Sequence, residues 1–193
     1  MYYFFVLLGY LIIPLFCRLH IVGHEHIPRR GAVVLTCNHQ SWIDVIILAF
    51  AIRPRVVHYM AKQELLAYPI LGPLLAAVHV FPVNREHPGP SAIKVPLALL
   101  KQGAMVGIFP TGTRTSEDVA LKQGAITIAF RAQAPLITAN YTGPTSMHWS
   151  FLFKRPEVTV RFWPAISIPE GNDKKQAMQM MMEKMTSQLK ANG

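Results

Sequence analysis

The chain has 193 residues, which is long enough for one well-buried domain and too short for two comfortable ones. Hydrophobic residues make up 51% of it and charged residues 15%, an apolar composition that favours a surface in contact with lipid or an apolar substrate. Nineteen Lys and Arg against ten Asp and Glu give a net charge of +9. Because the basic residues are dispersed, without a run of five, we expect them to meet phosphate groups and an anionic membrane surface, and we expect no nucleic-acid partner.

The first element in chain order is an uncharged N-terminal segment. Residues 1–17 carry no charged side chain, and Arg18 is the first one. A membrane-spanning helix needs about 20 apolar residues, so this run is short for a full span. We therefore expect residues 1–20 to form a membrane-inserted or interfacial helix, with a buried core helix as the alternative. The basic residues Arg18, Arg29 and Arg30 would then place the active site on the cytoplasmic side of the cell membrane.

The rest of the chain, residues 21–193, alternates between short β-rich runs and longer helical patterns and is expected to form one domain. The predicted strands are residues 31–37, 55–60, 78–83, 105–109, 135–141 and 157–163. The predicted helices are residues 42–52, 63–77, 91–102, 119–132 and 173–190. Such alternation predicts an α/β fold with a mixed, largely parallel sheet flanked by helices. In the last helix, methionines recur at helical spacing, which favours ordinary core packing over a lipid-binding face.

The first candidate for chemistry lies where a predicted strand ends and a helix begins, in the segment N-H-Q-S-W-I-D. Loops at the carboxyl ends of parallel strands gather the active sites of α/β folds. We predict that His39 is a general base and that Asp44, in the first helical turn, orients its imidazole. An incoming substrate hydroxyl would then be the nucleophile. The alternative is structural, because Ser41 and Asp44 have the spacing of a helix capping box.

Two further hypotheses about this region remain open. Cys37 stands two residues before His39, and in an extended strand the two side chains share a face, which admits a cysteine hydrolase. The chain has only two cysteines, Cys17 and Cys37, so we expect neither a disulfide framework nor a metal site. The other hypothesis is a non-catalytic lipid-binding membrane protein.

Three downstream segments offer groups that suit phosphate. In F-P-T-G-T-R, directly after a predicted strand, Gly112 allows close backbone approach, Thr113 offers a donor, and Arg114 offers a bidentate fork. Arg85 ends another predicted strand, and Lys122 lies near the start of a helix. Taken singly, each is also compatible with an ordinary turn or a solvated basic residue.

Together, these motifs resemble those of the lysophosphatidic acid acyltransferases, the 1-acylglycerol-3-phosphate O-acyltransferases of the glycerolipid acyltransferase superfamily. The resemblance rests on N-H-x-x-x-x-D, a strand-end Arg, F-P-x-G-T-R and a later Lys-x-Gly, in this order over roughly residues 22–164. The segment Ala-Lys-Gln-Glu-Leu, which contains Lys62, is also similar to the family. In this sequence the first and third motifs are the specific ones.

The resemblance implies a direct acyl transfer from an acyl thioester to the sn-2 hydroxyl of a lysophosphatidate, forming phosphatidate. His39 would accept the hydroxyl proton, and Asp44 would stabilise the imidazolium. The donor would be acyl-CoA or acyl carrier protein, and no metal or bound cofactor is implied. The residues implied to bind the lysophospholipid acceptor, mainly through its phosphate, are Lys62, Arg85, Gly112, Thr113, Arg114 and Lys122.

Two positions depart from the family pattern. The F-P-x-G-T-R motif usually carries Glu between its Pro and Gly, where this chain has Thr111. A further motif of the family, in an apolar strand, centres on a Pro where this chain has Thr138. The resemblance implies that this Glu helps to position the Arg and the glycerol of the acceptor. Another lyso-lipid or an amino lipid therefore stands as the alternative acceptor.

Overall fold

The computed structural model describes residues 2–69, 71–84, 89–110, 116–146, 148–169 and 173–191. Within them, the strands are β1 Arg18–Val22, β2 Val33–Cys37, β3 Val57–Lys62, β4 Val80–Val83, β5 Met105–Ile108, β6 Leu136–Thr142 and β7 Glu157–Phe162. The α-helices are α1 Tyr2–Phe16, α2 Trp42–Ala51, α3 Gln63–Leu66, α4 Leu71–Ala77, α5 Ser91–Lys101, α6 Ser116–Ala132, α7 Phe151–Lys154 and α8 Lys174–Lys190. A short 3-10 helix covers His24–His26.

The seven strands form one sheet in the order β1-β7-β6-β2-β5-β3-β4. Every neighbouring pair is parallel except β6 and β7, which are antiparallel. The predicted α/β fold with a mixed, largely parallel sheet is thus confirmed. β2 lies between β6 and β5, so the loop that follows β2 emerges from the middle of the sheet.

Two hydrophobic clusters cover the two faces of the sheet. Alternate residues of β2 point to opposite faces: Leu35 joins a cluster that includes Ile47 of α2, whereas Val34 joins one that includes Ile126 of α6. The second cluster also contains Met181 and Met185 of α8, which are buried. The methionine stripe of the C-terminal helix is therefore core packing, as the pattern favoured.

The N-terminal helix ends earlier than residue 20, because the chain enters the sheet at Arg18. β1 pairs in parallel with β7, with Arg18 opposite Glu157 and Val22 opposite Arg161. The helix packs partly on the core through Ile13 and contacts α2 and α7. Among the residues described, no helix is both long enough and apolar enough to cross a membrane.

The helix predicted over residues 63–77 is divided into α3 and α4. Pro69 stands between them and explains the break, since a proline in a helix interior removes a hydrogen bond and clashes with the preceding turn. The four-residue helix α7 was not predicted from the sequence.

Candidate active site

The turn from β2 into α2 is built by a capping box. Ser41 is the N-cap of α2, and its hydroxyl accepts a hydrogen bond from the Ile43 amide at 3.2 Å. The Asp44 carboxylate reaches back and accepts from the Ser41 amide at 2.8 Å, which completes the box. The structural alternative for this segment is therefore correct for Ser41, and it involves the same carboxylate that was predicted to act on His39.

His39 and Asp44 form a hydrogen-bonded pair. The Nδ1 atom of His39 lies 2.9 Å from Oδ1 of Asp44, and the Asp44 side chain is fully buried. The other carboxylate oxygen, Oδ2, accepts from the backbone amides of Gln40 at 2.7 Å and Ser41 at 2.8 Å. Three donors thus hold the carboxylate in one orientation. Because Nδ1 faces Asp44, Nε2 is the nitrogen of His39 that can face a substrate.

The His39 ring lies against the apolar floor of the site. Its centroid is 5.0 Å from that of the Phe109 ring, which in turn stacks on Tyr59 at 5.4 Å. The His39 side chain keeps 30% of its surface exposed, so the imidazole is supported on one side and open on another. Phe109 was part of a predicted motif, but its contact with His39 was not predicted.

Asn38 holds the end of β2 against β6 with its side chain. Its amide nitrogen donates to the Tyr141 carbonyl at 2.9 Å, and its amide oxygen accepts from the Tyr141 N–H at 2.6 Å. The side chain therefore continues the pairing of the two strands while the main chain turns away toward His39. Sequence reasoning did not give Asn38 this role. Its partner is 103 residues away along the chain, so no local pattern reveals it.

Cys37 is poorly placed for the nucleophilic role that its spacing from His39 allowed. Its side chain is buried in the hydrophobic cluster beneath α2. Burial, together with the nearby Asp44 carboxylate, raises the pKa of the Cys37 thiol far above its usual value. The thiolate that a cysteine hydrolase needs is therefore strongly disfavoured.

Tyr141 shares this buried environment. Burial first, and then the charges of Asp44 and Cys17, raise the pKa of Tyr141 to about 12. Its hydroxyl donates to the Pro144 carbonyl at 2.8 Å. We interpret Tyr141 as a neutral structural group behind the His39–Asp44 pair.

The predicted phosphate-binding residues are only partly within the described chain. Lys62 ends β3 and is exposed, and Lys122 lies in α6 and is half-buried. Arg85, Gly112, Thr113 and Arg114 lie outside the described residues. In the sheet order, β5 separates β3 from β2, so with strands spaced about 4.8 Å apart β3 lies about 10 Å from β2. In the described parts of the chain, no three His, Cys, Asp or Glu side chains form a group that could hold a metal ion.

Comparison with protein families identifies the domain. A family model described as Acyltransferase matches residues 18–142, which is more than half of the chain. The chain belongs to this acyltransferase family. The matched range includes the turn that carries His39 and Asp44 and every predicted phosphate-binding residue, and the resemblance drawn from the motifs is confirmed.

Two curated relatives are similar along much of the chain. The 1-acyl-sn-glycerol-3-phosphate acyltransferase of Bacillus subtilis (strain 168) is 52% identical over 126 residues, which cover 65% of this chain and 63% of that protein. The protein of the same name from Streptococcus pneumoniae (strain ATCC BAA-255 / R6) is 35% identical over 153 residues, which cover 78% of this chain and 56% of that one. The chain therefore spans less than two thirds of the length of these relatives.

A solved structure supports the architecture. The crystal structure of the 1-acyl-sn-glycerophosphate (LPA) acyltransferase PlsC from Thermotoga maritima matches 93% of this chain and 75% of that one, with a TM-score of 0.66. The sequence identity is 21%, so this similarity concerns the fold alone. It agrees with a largely parallel sheet flanked by helices.

Proposed function

We propose that this chain is a membrane-associated acyltransferase that moves a fatty acyl group from an acyl thioester to the sn-2 hydroxyl of lysophosphatidate. The observation that carries the proposal is the 2.9 Å contact between His39 Nδ1 and a fully buried Asp44 carboxylate. Membership of the acyltransferase family and the names of the similar bacterial proteins support the reaction and the acceptor.

The orientation of His39 supports a general-base mechanism for the proposed reaction. Nε2 accepts the proton of the acceptor hydroxyl as its oxygen attacks the thioester carbonyl carbon, which forms a C–O bond. The tetrahedral intermediate then collapses, the C–S bond breaks, and the leaving thiolate receives the proton from the imidazolium. The products are the ester and a free thiol, and His39 returns to its neutral form. No metal or bound cofactor takes part in this scheme.

Asp44 contributes by its charge and its fixed position. An imidazolium beside a buried carboxylate is stabilised more strongly than one in water, because the local dielectric is low. The amides of Gln40 and Ser41 hold the carboxylate and supply two of its three hydrogen bonds. The carboxylate therefore needs no rearrangement when the charge on His39 appears.

The phosphate of the acceptor would be bound along the same edge of the sheet. β2, β5, β3 and β4 are consecutive neighbours, and each precedes one of the predicted segments in the chain. His39 follows β2, Gly112, Thr113 and Arg114 follow β5, Lys62 ends β3, and Arg85 follows β4. Because carboxyl ends of parallel strands meet at one edge, this topology supports a shared site for the hydroxyl and the phosphate. Lys122 of α6 would add a second cation.

The donor and the location complete the proposal. We propose acyl-CoA or acyl carrier protein as the donor, since the transferred group must arrive as an activated thioester. The acceptor is a lysophospholipid held in a membrane, and the uncharged helix α1 with its exposed leucines is suited to an interfacial position. The site would face the cytoplasmic side of the cell membrane.

Two other functions remain as defined alternatives. Thr111, in place of the family Glu, favours a different lyso- or amino-lipid acceptor as the second candidate. A lipid-binding protein without turnover is the third. The cysteine hydrolase hypothesis has its own test. If the Cys37→Ser variant retains transfer activity, Cys37 is not the nucleophile and this hypothesis is excluded.

An acceptor screen tests the proposal. Purified chain is incubated with labelled acyl-CoA or acyl carrier protein and with lysophosphatidate, other lysophospholipids or an amino lipid. We expect labelled phosphatidate from lysophosphatidate, and none with His39→Ala above the level without enzyme. A product from another acceptor alone would assign the second candidate. Lipid binding without any product would assign the third.

A further inference from the structure

The segment around α7 exposes large apolar side chains whose contact with water is unfavourable. Trp149 is 81% exposed and Phe153 is 90% exposed, and Leu152 beside them is also exposed. Exposed aromatic residues grouped on one short element indicate a surface that is covered in use. Trp is moreover enriched where a protein meets the headgroup layer of a membrane.

This segment is fastened to the N-terminal helix. The Arg155 guanidinium donates to the Pro14 carbonyl at 2.8 Å, and α7 packs against α1. Helix α1 exposes an apolar stripe at helical spacing. The stripe consists of Leu8, Leu11, Ile12 and Leu15.

The segment also lies at the edge of the sheet that carries His39. It connects Thr142, where β6 ends, to Glu157, where β7 begins. β6 runs parallel to β2, and its carboxyl end is bonded to Asn38, directly before His39. Arg18 pairs with Glu157, so the end of α1 reaches the same edge.

The charges around these side chains are complementary to an anionic bilayer. Lys154 and Arg155 are exposed directly after Phe153 in the chain. Arg18 and Glu157, which face each other where β1 and β7 begin, are exposed as well. Basic residues next to a membrane surface are attracted to anionic headgroups, while apolar side chains enter the layer below. This combination fits a lipid surface better than an apolar protein partner.

We propose that residues 148–155 form a membrane-docking element that inserts Trp149 and Phe153 into the headgroup region of an anionic bilayer. The inference rests on the proposed function, because it explains how an acceptor that stays in the membrane presents its hydroxyl to His39. The docking element and the α1 stripe would contact the same bilayer, with Lys154 and Arg155 at the level of the lipid phosphates. The catalytic edge of the sheet would then face the membrane.

Sedimentation with vesicles tests the docking element. The full chain and the double variant Trp149→Ser/Phe153→Ser are mixed with phosphatidylcholine vesicles with and without phosphatidylglycerol. We expect the partition coefficient of the double variant onto the vesicles to be lower by about tenfold or more, because two aromatic side chains are no longer buried in the bilayer. Removal of phosphatidylglycerol should also weaken binding of the wild type. Met180→Ser, at an exposed apolar residue of α8, is the matched control and should bind as the wild type does.

Further measurements distinguish a failure of the docking element from a failure of the proposed function. Bromine-labelled acyl chains should quench the tryptophan emission of the wild type, and Trp149→Phe should remove much of that quenching. Transfer to a short-chain lysophosphatidate that is monomeric in solution should be unchanged in the double variant. Unchanged vesicle partitioning, or a defect limited to self-association in gel filtration, would overturn the docking element. Vesicle binding that depends on Trp149 and Phe153, without any acyl transfer, would overturn the proposed function alone.

Discussion

Asp44 performs two tasks with its two oxygens. Its Oδ2 atom accepts a hydrogen bond from the Ser41 amide in the cap of α2, and its Oδ1 atom contacts Nδ1 of the His39 ring. A capping box and a catalytic pair are therefore compatible readings of one short segment. In the proposed mechanism the helix cap would assist the reaction, since the backbone amides of the cap also hold the Asp44 carboxylate in place.

The Ser41→Ala variant separates the cap from the pair. Loss of the hydroxyl that accepts from Ile43 should lower the free energy of unfolding by about 1 kcal/mol. The contact between His39 and Asp44 uses other atoms, so transfer activity should stay within about threefold of the wild type, a free-energy change of about 0.7 kcal/mol. Denaturant unfolding and initial rates measure the two effects. A large loss of activity with unchanged stability would show that the hydroxyl itself acts in the reaction.

Asn38 should matter for both stability and rate. In Asn38→Ala, the N–H and C=O of Tyr141 lose their partners, which should cost about 1–3 kcal/mol of unfolding free energy. Because Asn38 precedes His39, we expect a fall in kcat with little change in KM for the acceptor.

A neighbouring residue supplies the control for Asn38. Asn140 is buried, and its amide donates to the Leu189 carbonyl of α8 at 3.0 Å. Asn140→Ala should therefore destabilise the fold without slowing the reaction. If the two variants lose kcat equally, Asn38 has only a structural role.

Contacts between residues close in sequence could be predicted, whereas contacts between distant residues could not. His39 and Asp44 are five residues apart, so local spacing suffices to predict their contact. The Asn38–Tyr141 bond and the Phe109 ring beneath His39 depend on which strands are neighbours. Spacing within one segment carries no information about such neighbours.

The N-terminal helix α1 approaches α2 closely at a glycine. Gly9 of α1 lies under the ring of Phe50 in α2, where an added Cβ would overlap the ring. Glycine is costly inside a helix, so its use here reflects the close approach of the two helices. α1 therefore rests on the same helix that carries Asp44 in its first turn.

Gly9→Ala should therefore destabilise the fold by about 1–3 kcal/mol through overpacking against Phe50. Adding Phe50→Ala should recover part of that loss, as a double-mutant cycle would measure. Gly124→Ala is the matched control, because a Cβ at this position in α6 meets nothing within 4 Å. It should leave stability unchanged or raise it by about 0.5–1 kcal/mol. Equal effects of the two alanine variants would contradict the proposed packing of α1.

Two elements, β1 and α7, could not be predicted from the sequence, and each has a physical reason. β1 is an edge strand that is mostly exposed, so it lacks the alternation of apolar and polar residues that marks a half-buried strand. α7 has four residues, too few for a helical period to appear. The strands and helices that line the core have longer or more regular patterns and were predicted with small differences at their ends.

At the scale of the whole molecule, the order of the strands assembles the site. The sequence patterns indicate which segments are strands, but the order β6-β2-β5-β3-β4 follows from packing on both faces of the sheet. That order places the end of β5 beside the end of β2, and the end of β3 one strand further along the same edge. Motifs separated by tens of residues can then serve one acceptor. The proposed membrane-docking element lies at the same edge, so the proposed lipid contact and the proposed chemistry would be close together.

The central claim is that His39 and Asp44 act as one unit in acyl transfer. The most direct measurement is the kcat for transfer to lysophosphatidate by the wild type, His39→Gln, Asp44→Asn and the double variant. Each single variant should be slower by about 10²–10⁴-fold, and the double variant should be no slower than the slower single one. Equal rates for the wild type and His39→Gln would contradict the account, and so would multiplicative losses in the double variant.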